Sequence, residues 1–303
     1  MIIEQALMNL PETMVGAGFG QKNYEGSIVS AFSLAILQSL NSRNIPNPMS
    51  CIIAEYAYER TQSKNLRVDL KISLGKTFLG TKAYSNYGFR FENFIEAKYY
   101  QLSQSATNTS KSNPTQNTIA VLKDIIRLIL LPTTKLNNNK CNIGRYFLHV
   151  YEGGDISKHL SFKKRKKTER LWLKNLTTQG DFDIKLDDIE DDYDWWKLLN
   201  ISKLEINVTN YRISSIPITN NQIQNTTIYT YLLTRINSFS VCIGNSDYTL
   251  ELDSSMNIKE FMSSTTKKVD DNSFTSTYPD FERLLSTSST STKMNAANDE
   301  NCN

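Results

Sequence analysis

Two short apolar segments on either side of a turn-rich gap constrain the fold of this chain more than any other feature. Leu66-Arg67-Val68-Asp69-Leu70-Lys71-Ile72 and Phe94-Ile95-Glu96-Ala97-Lys98-Tyr99-Tyr100 both alternate apolar with polar residues. A period of two belongs to a β-strand, whose successive side chains leave opposite faces. Arg67, Asp69 and Lys71 are therefore expected on one face of the first strand, and Glu96 and Lys98 on one face of the second. Val68, Leu70, Ile95 and Ala97 point the other way. Gly75, Gly80, Ser85, Asn86 and Gly88 supply turn residues between them, so the strands can fold back antiparallel and bring Asp69 beside Glu96.

Two carboxylates and a lysine on one wall suit metal-assisted hydrolysis. Carboxylate oxygens are hard ligands for Mg²⁺ or Mn²⁺, and such an ion takes one or two of them and completes its shell with water and substrate phosphate. The ion polarises a scissile phosphate, while Lys98 orients the attacking water or neutralises developing charge. The expected chemistry is phosphodiester hydrolysis, with Asp69, Glu96 and Lys98 catalytic and with Asp69 and Glu96 as metal ligands. Glu25 is in register with Ile28, Val29 and Phe32 of a helical stripe. It is either a third metal carboxylate or an acid favoured by the helix N-terminus.

The surrounding pattern orders these elements. Ile28, Val29, Phe32, Ala35, Ile36 and Leu40 recur at helical spacing, and the Asn- and Pro-rich stretch from Asn41 to Pro48 stops the helix. Strands are expected at Cys51 to Tyr58, Leu66 to Ser73 and Phe89 to Gln101, followed by a polar loop from Ser103 to Thr118. A helix follows at Ile119 to Leu131, with Ile119, Leu122, Ile126 and Leu130 as its stripe and Pro132 as its stop. A buried strand follows from Gly144 to Tyr151.

The acid on the second strand, the Glu96-Ala97-Lys98 tripeptide on the third and this αβββαβ order resemble the PD-(D/E)xK nuclease superfamily, over residues 25 to 152. The proline that names the motif is absent, since Val68 precedes the acid. The resemblance implies an α/β fold built on an α+β mixed sheet, with a restriction-endonuclease-like core over residues 1 to 155. It assigns Asp69 as the metal-binding acid, Glu96 as the second ligand, Lys98 as the catalytic lysine and a helix-borne Glu25 as a possible third acid. It also implies a Mg²⁺-dependent DNA endonuclease of prokaryotic restriction or anti-phage defence, either a sequence-specific restriction enzyme or a cutter controlled by a defence-system partner protein. A double-strand cutter needs two sites, so a homodimer is expected. The alternatives are a non-catalytic nucleic-acid-binding or assembly subunit on the same scaffold, and a structure-specific or RNA nuclease.

Other features have plainer readings. Asp183-Ile184-Lys185 has the form of the tripeptide but sits in an acidic run from Asp181 to Asp194, and is read as a solvated acidic face or loop. Lys163, Lys164, Arg165, Lys166 and Lys167 form a basic block that either neutralises DNA phosphates or lies solvated as a loop balanced by those acids. Lys123 and Arg127, four apart on the second helix, either meet a phosphate or leave Arg127 paired with Asp124. Trp195 and Trp196 are read as packing anchors.

The formal net charge of +3 argues against tight binding of naked nucleic acid by electrostatics alone. Cys51, Cys141, Cys242 and Cys302 are far apart and indicate neither a zinc site nor a disulfide framework. No apolar run reaches the roughly 18 residues of a membrane span, so a cytoplasmic protein with no membrane association is expected. Beyond residue 155 an α+β extension runs to residue 262, with strands at Lys203 to Tyr211 and Ser238 to Gly244. Thr226 to Ile236 fits a helix or a strand. The Ser-, Thr- and Asn-rich residues 263 to 303 are expected to be a disordered tail.

Overall fold

The computed structural model describes residues 2–16, 25–57, 67–74, 92–101, 113–130, 143–163, 169–189, 201–215, 228–243 and 246–250. The expected tail, Trp195 and Trp196, and Lys164 to Lys167 lie outside them. A helix that the reading above did not anticipate comes first, α1 (Ile2–Gly16), followed by α2 (Glu25–Asn41). Then come β1 (Ile52–Ala57), β2 (Arg67–Ser73), β3 (Glu92–Tyr100), α3 (Pro114–Leu130) and β4 (Ile143–Glu152). The second half contributes α4 (Leu171–Thr177), β5 (Gly180–Lys185), α5 (Leu186–Ile189), β6 (Ile201–Ser215), β7 (Tyr229–Ile243) and β8 (Ser246–Leu250).

The fold is mixed α/β, with one mixed sheet in the order β1-β2-β3-β4-β7-β6-β5 and β8 added alongside β7. β1, β2 and β3 pair antiparallel, β3 and β4 run parallel with α3 as their crossover, and β7 pairs antiparallel with both β4 and β6. A parallel pair requires such a crossover, and its central strand must be covered on both faces. β4 meets that demand, being buried from Gly144 to Glu152. Strands of the C-terminal half thus continue the sheet of the N-terminal half. Thr226 to Ile236 resolves as strand from Tyr229 onward, where Tyr and Thr suit a pleated surface. Asp183-Ile184-Lys185 is the end of edge strand β5 rather than a loop, with Asp183 exposed and Ile184 buried.

Two apolar layers sandwich the sheet. On one side α1 and α2 bring Leu7, Leu10, Ile28, Phe32 and Ile36 against Leu70, Ile95, Ala97 and Leu148. On the other, α3 and α4 bring Leu122, Ile125, Ile129 and Trp172 against Phe94, Tyr100, Phe147 and Leu232. α2 ends as its composition dictates. Asn44 and Asn47 adopt positive φ, a conformation Asn tolerates, and Arg43 donates to the Ser39 carbonyl at 2.7 Å. α3 starts earlier than expected, because Pro114 suits a first helical position and Asn113 Oδ1 accepts from the Gln116 amide at 3.3 Å.

The strict alternation expected of β2 breaks at Asp69. Val68 packs into the α3-side layer with Phe94, whereas Leu70 and Ile72 pack into the α2-side layer. The break is shared by β1, where Glu55 has a φ of 51° and the ladder skips the Glu55–Asp69 pair. A left-handed residue in one strand turns the next side chain to the other face. β2 and β3 also stop pairing at Leu70 and Ile95, so the two strands part next to Asp69.

At the sheet centre His149 is fully buried, its Nδ1 2.9 Å from the Tyr151 hydroxyl and its Nε2 3.3 Å from the Thr234 hydroxyl. Burial disfavours the imidazolium and lowers the His149 pKa to about 3 from 6.5. Between those values the unfolded chain binds the extra proton, so this residue makes stability rise with pH across that window. Urea unfolding as a function of pH should show stability falling on acidification below 6.5, by up to about 5 kcal/mol from this group. His149→Asn should remove that component of the slope.

Candidate active site

The site is built where β2 and β3 part. Asp69 turns its Oδ2 to the Ala97 amide at 2.7 Å, taking the place of a ladder carbonyl and fixing its carboxylate between Glu96 and Lys98 in the chain. Glu96 and Lys98 alternate with Ile95 and Ala97, so they leave β3 on the α3 side together with Phe94 and Tyr100. Glu25, the first residue of α2, reaches Lys98 from the sheet's other layer: both its carboxylate oxygens lie 3.2 Å from Nζ.

The opposite wall is α3. Asp124 Oδ2 stands 3.9 Å from Lys98 Nζ, and Asp124 Oδ1 stands 3.7 Å from an Arg127 guanidinium nitrogen. The same nitrogen contacts Glu96 Oε1. Glu25, Lys98, Asp124, Arg127 and Glu96 thus form one chain of ionic contacts. Glu96 is 2% exposed, Asp124 0% and Arg127 6%. The Glu25 side chain, 40% exposed, is the wet end of the cluster. Glu96 Oε2 and both Asp124 oxygens are buried without a hydrogen-bond partner.

Charge and burial set the proton affinities. Burial pushes Glu25 up; Lys98 pulls it back only in part, and the Asp69 charge adds to the rise. Burial works against the Lys98 ammonium, but Asp124, Glu25 and Asp69 outweigh it and raise its pKa, so Lys98 is charged. Burial, opposed by Lys98 and reinforced by Glu25 and Asp69, pushes Asp124 up to about 7. Four carboxylates, Asp69, Glu96, Glu25 and Asp124, share two cations, the partly buried Lys98 and the buried Arg127, while Lys123 acts on Asp124 from a half-exposed position. The cluster lacks positive charge.

Carboxylate oxygens suit a hard divalent cation in charge and ligand type, and Glu96 Oε2, the oxygen of that carboxylate not turned to Arg127, is buried without a hydrogen-bond partner. The spacing is not closed around one. Among the described residues no group of three or more His, Cys, Asp or Glu side chains could hold a metal ion. Glu96 is turned to Arg127, and Glu25 is joined to Lys98. Asp69, Glu25 and Lys98 come together electrostatically, and Glu96 joins them through Arg127 and Asp124.

The remaining candidates are dispersed. Arg127, considered above for a phosphate, is instead buried between Glu96 and Asp124, and the ion pair with Asp124 is the reading the structure shows. Lys123 is half exposed on α3, and Lys163 is exposed, its backbone forming an isolated antiparallel β-bridge with that of Glu169. Lys164, Arg165, Lys166 and Lys167 lie outside the described residues. The residue that sequence reasoning missed is Asp124. Its signal was its spacing: three residues after Val121 and four before Leu128, both buried, it lies on the inward stripe of α3.

Asp124 has a stability signature of opposite sign to His149. With a native pKa raised from 3.8 to about 7, the folded chain binds more protons than the unfolded one between those values, so stability contributed here falls as pH rises. Asp124→Asn, which keeps the shape without the charge, should gain on the wild type in urea unfolding between pH 4 and about pH 8, by a few kcal/mol in order of magnitude. An unchanged difference across that range would contradict the assigned burial of charge.

No helix among the described residues is long and apolar enough to cross a membrane. Comparison of the chain with protein-family models, with curated proteins and with solved structures gives no match, so a functional reading rests on the geometry of this cluster.

Proposed function

We propose that the chain is a divalent-metal-dependent DNA endonuclease of the PD-(D/E)xK type, acting at the cluster around Asp69, Glu96 and Lys98. The observation that carries the reading is the convergence of Asp69, Glu25 and Lys98 at the parting of β2 and β3. Support also comes from the element order helix, three antiparallel strands, helix, parallel strand, which is that of the superfamily. α1 and the strands β5 to β8 would be additions to that core.

Asp69 and Glu96, with Glu25 from the helix, would hold Mg²⁺ or Mn²⁺, which when bound supplies Lewis-acid polarisation of the scissile phosphate. Lys98 keeps its proton because three carboxylates surround it, so it acts as a fixed cation. A fixed ammonium at the edge of a buried cluster can anchor a phosphate oxygen, orient a water and offset charge gained in the transition state. Asp69, by accepting from the Ala97 amide, holds the backbone between Glu96 and Lys98 in place. Action in restriction or anti-phage defence, as a homodimer or with a partner protein, belongs to this same proposal and rests on fold analogy.

The test incubates the full chain with plasmid, single-stranded DNA and RNA, in Mg²⁺ or Mn²⁺ and in EDTA. Metal-dependent cleavage of plasmid is expected, with Asp69→Ala and Lys98→Ala each lowering the rate by a factor on the order of 100 or more. Cleavage that is equal in the wild type and both variants would rule out this site. Plasmid bound in the presence of metal without being cut would favour a binding subunit on a nuclease scaffold.

A further inference from the structure

We propose that Asp124 is the positioning residue of Lys98: a carboxylate buried on α3 that holds the lysine ammonium in its place on β3. The inference rests on the nuclease reading and adds to it a residue outside the Asp and Glu-x-Lys motif. Lys98 has two carboxylates at hand, and they differ in how firmly they are held. Both Glu25 oxygens lie 3.2 Å from Nζ, but the Glu25 side chain is 40% exposed. Asp124 Oδ2 is farther, at 3.9 Å, yet Asp124 is 0% exposed, on a helix whose apolar stripe packs against Phe94, Tyr100 and Phe147. A short side chain in a packed core keeps one rotamer, whereas a longer one beside solvent samples several. Burial works against the Lys98 ammonium, and Asp124 is the strongest charge opposing it, ahead of Glu25 and Asp69.

The surroundings of Asp124 speak against a scaffold role. Neither of its oxygens accepts a hydrogen bond, and burial raises its pKa to about 7 despite the pull of Lys98. A carboxylate in that state costs stability when it is charged. Asn would fill the same volume without that cost. Asp124 Oδ1 stands 3.7 Å from Arg127, but that guanidinium already contacts Glu96, so Asp124 is not required to give it an opposing charge. A buried charge that opposes folding and faces the lysine of the motif is accounted for by the site and not by the fold.

The experiment compares the full chain with Asp124→Asn and Glu25→Gln at pH 8, where Asp124 is ionised. The first readout is free of metal. In crystals grown with EDTA, Lys98 Nζ of Asp124→Asn should move by about 1 Å or divide between positions, a displacement large enough to disturb a reacting geometry. Glu25→Gln should leave Lys98 in its wild-type place. The second readout is plasmid cleavage in Mg²⁺, where Asp124→Asn should lower the single-turnover rate roughly tenfold to a hundredfold and leave the half-saturating plasmid concentration unchanged. The third is urea unfolding, in which the same variant should be more stable than the wild type.

Slower cleavage with a gain in stability separates a positioning residue from a structural one, which would lose both together. Lys98 unmoved in Asp124→Asn, cleavage at the wild-type rate, or a variant that unfolds more easily than the wild type would overturn the role of Asp124 and leave the nuclease reading intact. A wild type that cuts no substrate in Mg²⁺ or Mn²⁺ would remove both.

Discussion

A glutamate 2% exposed on a central strand sets the terms for everything built around it. Taking Glu96 out of water costs several kcal/mol, and only an opposing charge at short range can return that cost. Arg127 is that charge, and because it comes from α3 the ion pair ties the crossover helix to the strand it covers. A second acid, Asp124, is buried on the same helix face, and Lys98 and Glu25 extend the chain of contacts toward solvent. A buried ion pair is weak support for stability, and its usual advantage over apolar packing lies elsewhere. Here four carboxylates meet two cations in a cluster whose Glu25 end is open to solvent.

Strand period made the core elements readable. β1, β2, β3 and β4 fall within a few residues of their expected bounds, since each combines a period of two, or an unbroken apolar run, with turn residues at its ends. The place of Glu25 at the start of α2 was readable for a related reason, its helical register with Ile28 and Phe32. Asp69 was correctly placed on β2, yet the regular alternation assumed for it was not, because a positive φ at Glu55 on the neighbouring strand is invisible to a pattern of polar and apolar letters.

What stayed hidden did so for physical reasons. Asp124 and Arg127 are charged residues three apart, which in most helices means a solvated pair, and only tertiary packing turns both inward. α1 has apolar residues at helical spacing in Ile3, Leu7, Leu10 and Met14, but Pro11 inside it argues locally against a helix. β7 mixes Tyr and Thr with a spacing that also suits a helix, and its pairing with both β4 and β6 decides the outcome. In each case long-range contacts outweigh a local preference.

The proposed site would take one divalent cation between Asp69 and Glu96. Anomalous diffraction from crystals soaked in Mn²⁺ tests it most directly, since manganese is located by its own scattering. A single strong peak is expected within coordinating distance of the Asp69 and Glu96 carboxylates. Crystals that take up manganese elsewhere, or none at all, would contradict it.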